Sequence, residues 1–100
     1  MIDWTRVVGF DWDAGNERKN IDKHGVTRAE AEQLFFNEPL LVLEDDRHSV
    51  HEPRFHALGR TNGTRRLHVA FTLRRENTLI RVISARGMSV KERAVYDETA

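Results

Sequence analysis

Arginines and histidines recur at alternate positions from residue 54 onward, and two further arginines follow at 81 and 86. In an extended chain alternate side chains share a face. Arg54, His56, Leu58 and Arg60 therefore fall on one side of a strand, with Phe55, Ala57 and Gly59 on the other. In the next apolar stretch Arg66, His68, Ala70 and Thr72 oppose Leu67, Val69 and Phe71. In the last, Arg81 lies with Ile83 and Ala85, opposite Ile80 and Val82. If the apolar faces meet helices, Arg54, His56, Arg60, His68 and Arg81 converge on the open face, and Arg86 reaches its rim. Such a group suits phosphodiester chemistry. Guanidinium forks bind phosphate in two-pronged fashion and stabilise the charge that builds at a pentacoordinate phosphorus. An imidazole takes a proton from a 2′-hydroxyl or returns one to a leaving 5′-oxygen. RNA supplies its own nucleophile, so this chemistry needs no cofactor and no metal. The alternative is an antiparallel sheet with one polar, solvated face.

The charge distribution favours a polyanionic partner. The whole chain is neutral, but residues 1–52 hold six Lys/Arg against twelve Asp/Glu, and residues 53–100 hold ten against four. Between Pro53 and Lys91 there are nine basic residues and one acid, Glu76. A one-signed stretch of this kind is the footprint of a nucleic-acid patch.

Other chemistries find less support. The absence of cysteine excludes disulfides, thiolate metal sites and thiol nucleophiles. His48-x-x-His51 with His56 and His68 matches no established ligand spacing, and Asp45 and Asp46 beside His48 read as a polar loop. No glycine-rich phosphate loop or nucleophile elbow is present. Met1–Phe10 carries Asp3 and Arg6 and no long apolar run, unlike a signal peptide. No stretch approaches the ~20 apolar residues of a membrane span. A soluble, cytoplasmic protein is expected, folding as a single domain over residues 1–100.

The elements that must position these groups follow from local signals. Val7–Asp11 reads as a strand. Asp13 caps a helix to about His24, where Gly25 ends it. Thr27 and Glu30 form a capping box for a second helix, Arg28–Phe36, stopped by Pro39. Leu40–Leu43 reads as a buried strand, and Glu44–Glu52 as a long polar loop. Arg54–Arg60, Arg65–Leu73 and Leu79–Ala85 read as strands, joined at Asn62-Gly63 and at Arg74–Thr78. Ser89 and Glu92 cap a last helix, Val90–Glu98. The order β-α-α-β-β-β-β-α predicts an α+β fold, a mostly antiparallel sheet with helices on one face. On the first helix Asn16, Asn20, Lys23 and His24 form one stripe. Asn20 and His24 fit as braces of the helix ends, while Lys23 is either a solvated charge or aimed at an RNA backbone. Arg28–Phe36 is acidic and apolar, which excludes a basic recognition helix of the helix-turn-helix kind.

These motifs together resemble the BrnT toxins. The resemblance is carried by Phe10-Asp11-Trp12-Asp13, Asn20-Ile21-x-Lys23-His24-Gly25-Val26, Glu30-Ala31, Arg54-Phe55 with Leu58-Gly59-Arg60, Arg81-Val82-Ile83-Ser84-Ala85-Arg86, and Glu92-Arg93-x-x-Tyr96. It spans roughly residues 9–97. It implies a RelE-like fold and a metal-independent endoribonuclease of a type II toxin–antitoxin system that arrests translation. It also implies a BrnA-type antitoxin, a ribbon-helix-helix protein that carries the contact with operator DNA. The matching basic residues are Lys23, Arg54, Arg60, Arg81 and Arg86. By geometry His56 or Glu52 is the proton acceptor, and Arg66 and His68 add to the RNA-binding face. The chain departs from the family pattern at Asn16, where a lysine is usual, and at Gly87-Met88, where a basic-alanine pair is usual. Those departures motivate a second expectation, a non-catalytic relative that binds the antitoxin as a co-repressor.

Overall fold

Eight helices and strands among the described residues set the frame. In a computed structural model, which describes residues 2–48 and 51–99, they are β1 (Gly9–Phe10), α1 (Ala14–His24), α2 (Arg28–Gln33) with a 3₁₀ turn at Leu34–Phe36, β2 (Leu41–Glu44), β3 (Arg54–Arg60), β4 (Arg66–Arg74), β5 (Leu79–Gly87) and α3 (Val90–Thr99). The side chain of His48 and residues 49–50 of the polar loop lie outside the description.

The strands form one sheet in the order β1-β5-β4-β3-β2. The meander β2 to β5 is antiparallel, and β1 joins β5 in parallel, so the sheet is mixed. The fold is α+β as expected. The helix ends follow the sequence signals. Asp13 accepts from the Asn16 amide at 3.1 Å, Thr27 and Glu30 close a capping box, and Gly25 leaves α1 with a φ of 64°. That left-handed geometry suits a residue without a Cβ.

One face of the sheet carries the main core. Val26, Ala31 and Leu34 from the α1–α2 layer pack on Phe55, Ala57, Leu67, Val69, Phe71, Ile80, Val82 and Ala85. Gly59 belongs to this face: a Cβ there would lie 2.7 Å from Cγ of the fully buried Leu34. Gly59→Ala is therefore expected to destabilise by about 1–3 kcal/mol through overpacking. Urea unfolding would measure it, and an unchanged midpoint would refute the contact's importance.

Several expectations are corrected. The first strand is two residues long, because Gly9 and Phe10 alone find partners on β5. The second helix ends at Gln33 and tightens into 3₁₀. β2 is an edge strand, with Leu43 67% exposed, since only β3 flanks it. The helices do not share one face. Leu41 and Leu58 point away from the main core, and α3 crosses over to cover them with Met88 and Tyr96. Finally, β5 continues to Gly87 and carries a bulge. Phe71 pairs with Val82, but Ala70 pairs with Ser84, which leaves Ile83 as the extra residue. Beyond it the faces exchange: Ala85 enters the core and Arg86 turns to the α3 side, opposite His68.

Candidate functional site

Cross-strand register arranges the α3-side face in rows. Arg54, Thr72 and Arg81 form one, His56, Ala70 and Ser84 the next, and Leu58, His68 and Arg86 the third. α3 roofs the third row. Glu92 takes the Arg86 guanidinium through both oxygens, at 2.8 and 2.9 Å, and its Oε1 also accepts from the Ser89 amide. Asp97 holds Arg66 at 2.9 Å, and the Tyr96 hydroxyl donates to the Pro39 carbonyl at 2.7 Å. Between roof and sheet lies a cleft of about 460 Å³, reached by His56, His68, Arg86, Lys91 and Glu92 and walled by Leu43, Leu58 and Val95.

His68 is the most perturbed histidine here. Its ring is buried, which pushes its pKa down to about 4, and the Arg86 charge beside it acts in the same direction. It is therefore a neutral imidazole at physiological pH. Its ring lies 4.8 Å from that of His56, tilted by 38°. His56 in turn gives Nε2 to Asp45 Oδ2 at 2.7 Å, a carboxylate that is itself nearly buried. The other ring nitrogen of His56 is buried without a hydrogen-bond partner. Asp45 is held in place by its own amide, which donates to the Arg54 carbonyl at 2.8 Å.

The Glu92 carboxyl is also shifted down, to about 2, chiefly by the hydrogen bonds from Arg86, which for an acid favours the charged form. The two shifts separate in pH. The unfolded chain binds a proton at His68 near pH 6.5, and the folded chain only near 4. Stability therefore falls as pH drops through that window, because the unfolded state takes up the extra proton. The Glu92 contribution is complete above its unfolded value of 4.5 and is lost progressively as pH falls from there to about 2. Thermal melts between neutral pH and 4 should show the loss in the wild-type protein and a flatter response in His68→Gln. Equal slopes would contradict the assignment.

The sequence-derived site residues divide into groups. His56, His68 and Arg86 meet in the cleft, and Arg54 and Arg81 lie on the same face further along the strands. Arg81 reaches Asp13 only at 3.6 Å, and its buried Nε has no hydrogen-bond partner. Arg60 does not converge with them. Tyr96 and Leu58 intervene, and its Nε donates to the Glu38 carbonyl in a separate cavity lined by Trp4, Pro39, Leu40 and Thr99. Arg66 is engaged by Asp97. Lys23 is exposed on α1, in the layer behind the sheet, one turn from Asn20. Asn20 braces the helix against the sheet instead of its own end: its Oδ1 accepts from the Ala85 amide at 3.1 Å, on the β5 edge that β1 leaves unpaired. Glu52 pairs with Arg74 at 3.0 Å, away from the cleft. Glu92, Lys91 and Asp45 are cleft or supporting residues that sequence reasoning missed. Glu92 is visible in the sequence as a helix cap and in the Glu92-Arg93-x-x-Tyr96 motif, neither of which places it in the cleft.

An arginine held by a carboxylate and an uncharged imidazole stand side by side on the sheet of this small α+β protein. Residues 12–92 match the family model described as the ribonuclease toxin BrnT of type II toxin–antitoxin systems. The chain belongs to that family. It is also similar to the ribonuclease toxin BrnT of Brucella abortus, whose 1.1 Å crystal structure superposes with a TM-score of 0.63 at 26% identity, covering 83% of this chain and 99% of that one. No curated protein matches it significantly. Among the described residues, no helix is long and apolar enough to cross a membrane.

Proposed function

We propose that this chain is a metal-independent endoribonuclease with a RelE-like fold, a single toxin domain over residues 1–100 that cuts RNA in the cytoplasm and so inhibits translation. The observation that carries the reading is the pairing of Arg86 with a neutral His68 in one cleft. A phosphate entering the cleft competes with Glu92 for the two guanidinium N–H groups. His68 then takes the proton of the 2′-hydroxyl, the 2′-oxygen attacks phosphorus, and the bond to the 5′-oxygen breaks. The products are a 2′,3′-cyclic phosphate and a 5′-hydroxyl end. The Lys91 ammonium, in the same cleft, stabilises the departing oxygen, which takes its proton from water, and His68 gives up its own proton to solvent afterwards. This assigns the proton acceptor to His68 rather than to His56 or Glu52, because His56 is held by Asp45 and Glu52 is paired with Arg74 away from the cleft. Arg54 and Arg81 bind neighbouring phosphates.

The partner is a BrnA-type antitoxin with a ribbon-helix-helix DNA-binding domain, through which the pair meets operator DNA. Purified protein incubated with cellular RNA in EDTA is expected to leave fragments ending in cyclic phosphate. A 2′-deoxy nucleotide at the scissile position should block the cut. Intact RNA together with normal growth on expression would refute the proposal.

The closed Arg86–Glu92 pair favours a second reading, a non-catalytic co-repressor that only binds the antitoxin. It predicts antitoxin affinity indifferent to Arg86→Ala and no cleavage under any condition.

A further inference from the structure

Two apolar side chains stand uncovered at the cleft. Leu43, on β2, is 67% exposed, and Val95, on α3, is 50% exposed. Each lines the same cavity from a different element. Leu58 lies beneath them, and the tilted imidazoles of His56 and His68 continue that floor towards Arg86. The cavity is thus apolar at one end and charged at the other, where Arg86 and Lys91 sit with Glu92, an excess of one positive charge. One exposed leucine needs no explanation. Two aliphatic walls beside a floor of flat rings, next to paired cations, fit a planar ligand that carries an anion. The volume, about 460 Å³, falls within the range on the order of 300–1,000 Å³ that holds a single small ligand.

Building on the nuclease reading, we propose that the cleft seats one nucleobase of single-stranded RNA against Leu43 and Val95, over the two imidazoles, with the adjoining phosphate on Arg86. A base inside a duplex offers only its edge, so the seat accepts an unstacked nucleotide. Charge complementarity favours this occupant: two cations, Arg86 and Lys91, stand against one carboxylate, Glu92, in the lining of the cleft. Seating the base would fix the ribose and bring its 2′-hydroxyl to His68. It would also make cleavage selective for base identity, since the walls contact the base and the arginine contacts only phosphate.

The test is binding by the full chain, labelled at its methyl groups, to three probes: inorganic phosphate, ribose 5-phosphate and the four nucleoside 3′-monophosphates. Nucleotides are expected to shift the Leu43 and Val95 methyl signals and to bind about tenfold tighter than ribose 5-phosphate, the scale of one base packed on a protein surface. Leu43→Ala and Val95→Ala, both at exposed positions, should each lose most of that increment and keep phosphate binding. Nucleotides that bind no tighter than ribose 5-phosphate, or an increment that survives both substitutions, would overturn the proposal. Failure of the nuclease reading looks different: nucleotides held with the increment while RNA stays intact. A protein element covering these residues instead, such as the antitoxin, would leave the methyl signals unmoved by nucleotides and shift them with the partner alone, which also overturns the seat.

Discussion

Arg86→Ala is expected to reduce RNA cleavage by about 10²–10³-fold, the usual loss when one preorganised donor to a developing anion is removed. Among the described residues, Arg86 is the arginine that lines the cleft. Arg81 and Arg54 lie two rows away along the strands, Arg66 is tied to Asp97, and Arg60 occupies a different cavity. The fold should survive. The Arg86–Glu92 pair is partly solvated, so its removal costs about 1 kcal/mol or less, and α3 keeps Tyr96 on Pro39 and Asp97 on Arg66. Single-turnover cleavage with melting temperature as control separates the two effects. Glu92→Gln should act with the opposite sign. It removes the carboxylate that competes for Arg86 while keeping a group that can accept from the Ser89 amide, so RNA should bind more tightly. If Arg86→Ala cuts RNA at the wild-type rate, the phosphate is held elsewhere and the proposed mechanism fails.

His68→Ala is expected to lower the cleavage rate by about 10²–10⁴-fold, the contribution of a positioned general base. Burial and the Arg86 charge keep this imidazole unprotonated at neutral pH, so its lone pair is available. A phosphate arriving at Arg86 brings negative charge beside the ring and favours the imidazolium that forms as the 2′-hydroxyl loses its proton. The effect should therefore fall chiefly on the rate at saturating RNA, with a smaller loss of affinity from the missing ring in the cleft floor. His68→Gln should fare no better, because an amide accepts a hydrogen bond without taking a proton. A variant with wild-type rate and weakened binding would reassign His68 to RNA contact alone.

Much of this arrangement was readable from the chain, for local reasons. The strict alternation around Phe55, Ala57 and Gly59 separates the two faces of β3 before any coordinates exist, because side-chain direction in a strand depends only on parity. The caps at Asp13, Thr27–Glu30 and Ser89–Glu92 are equally local. What escaped depends on distant partners. Gly9 and Phe10 are a strand only because Leu79 and Ile80 accept them in parallel. α3 has Val90 and Val95 exposed and Tyr96 buried, too weak a pattern to show that it lies on the other face from α1 and α2. For the site, parity correctly placed His56, His68 and Arg81 together but could not show α3 dividing Arg60 from them. The acidic run Glu44-Asp45-Asp46 contains no signal naming Asp45 as the one that meets His56, since that choice is made by the loop's return to β3.

Arg81 and Arg86 stand five positions apart, an odd separation that in a regular strand would send them to opposite sides. The extra residue at Ile83 works as a phase shifter that brings both to the same surface. The length of β5, more than the identity of residue 83, thus decides whether this surface is cationic. Substitutions there change only packing, whereas losing one residue would turn a guanidinium inward and an alanine out.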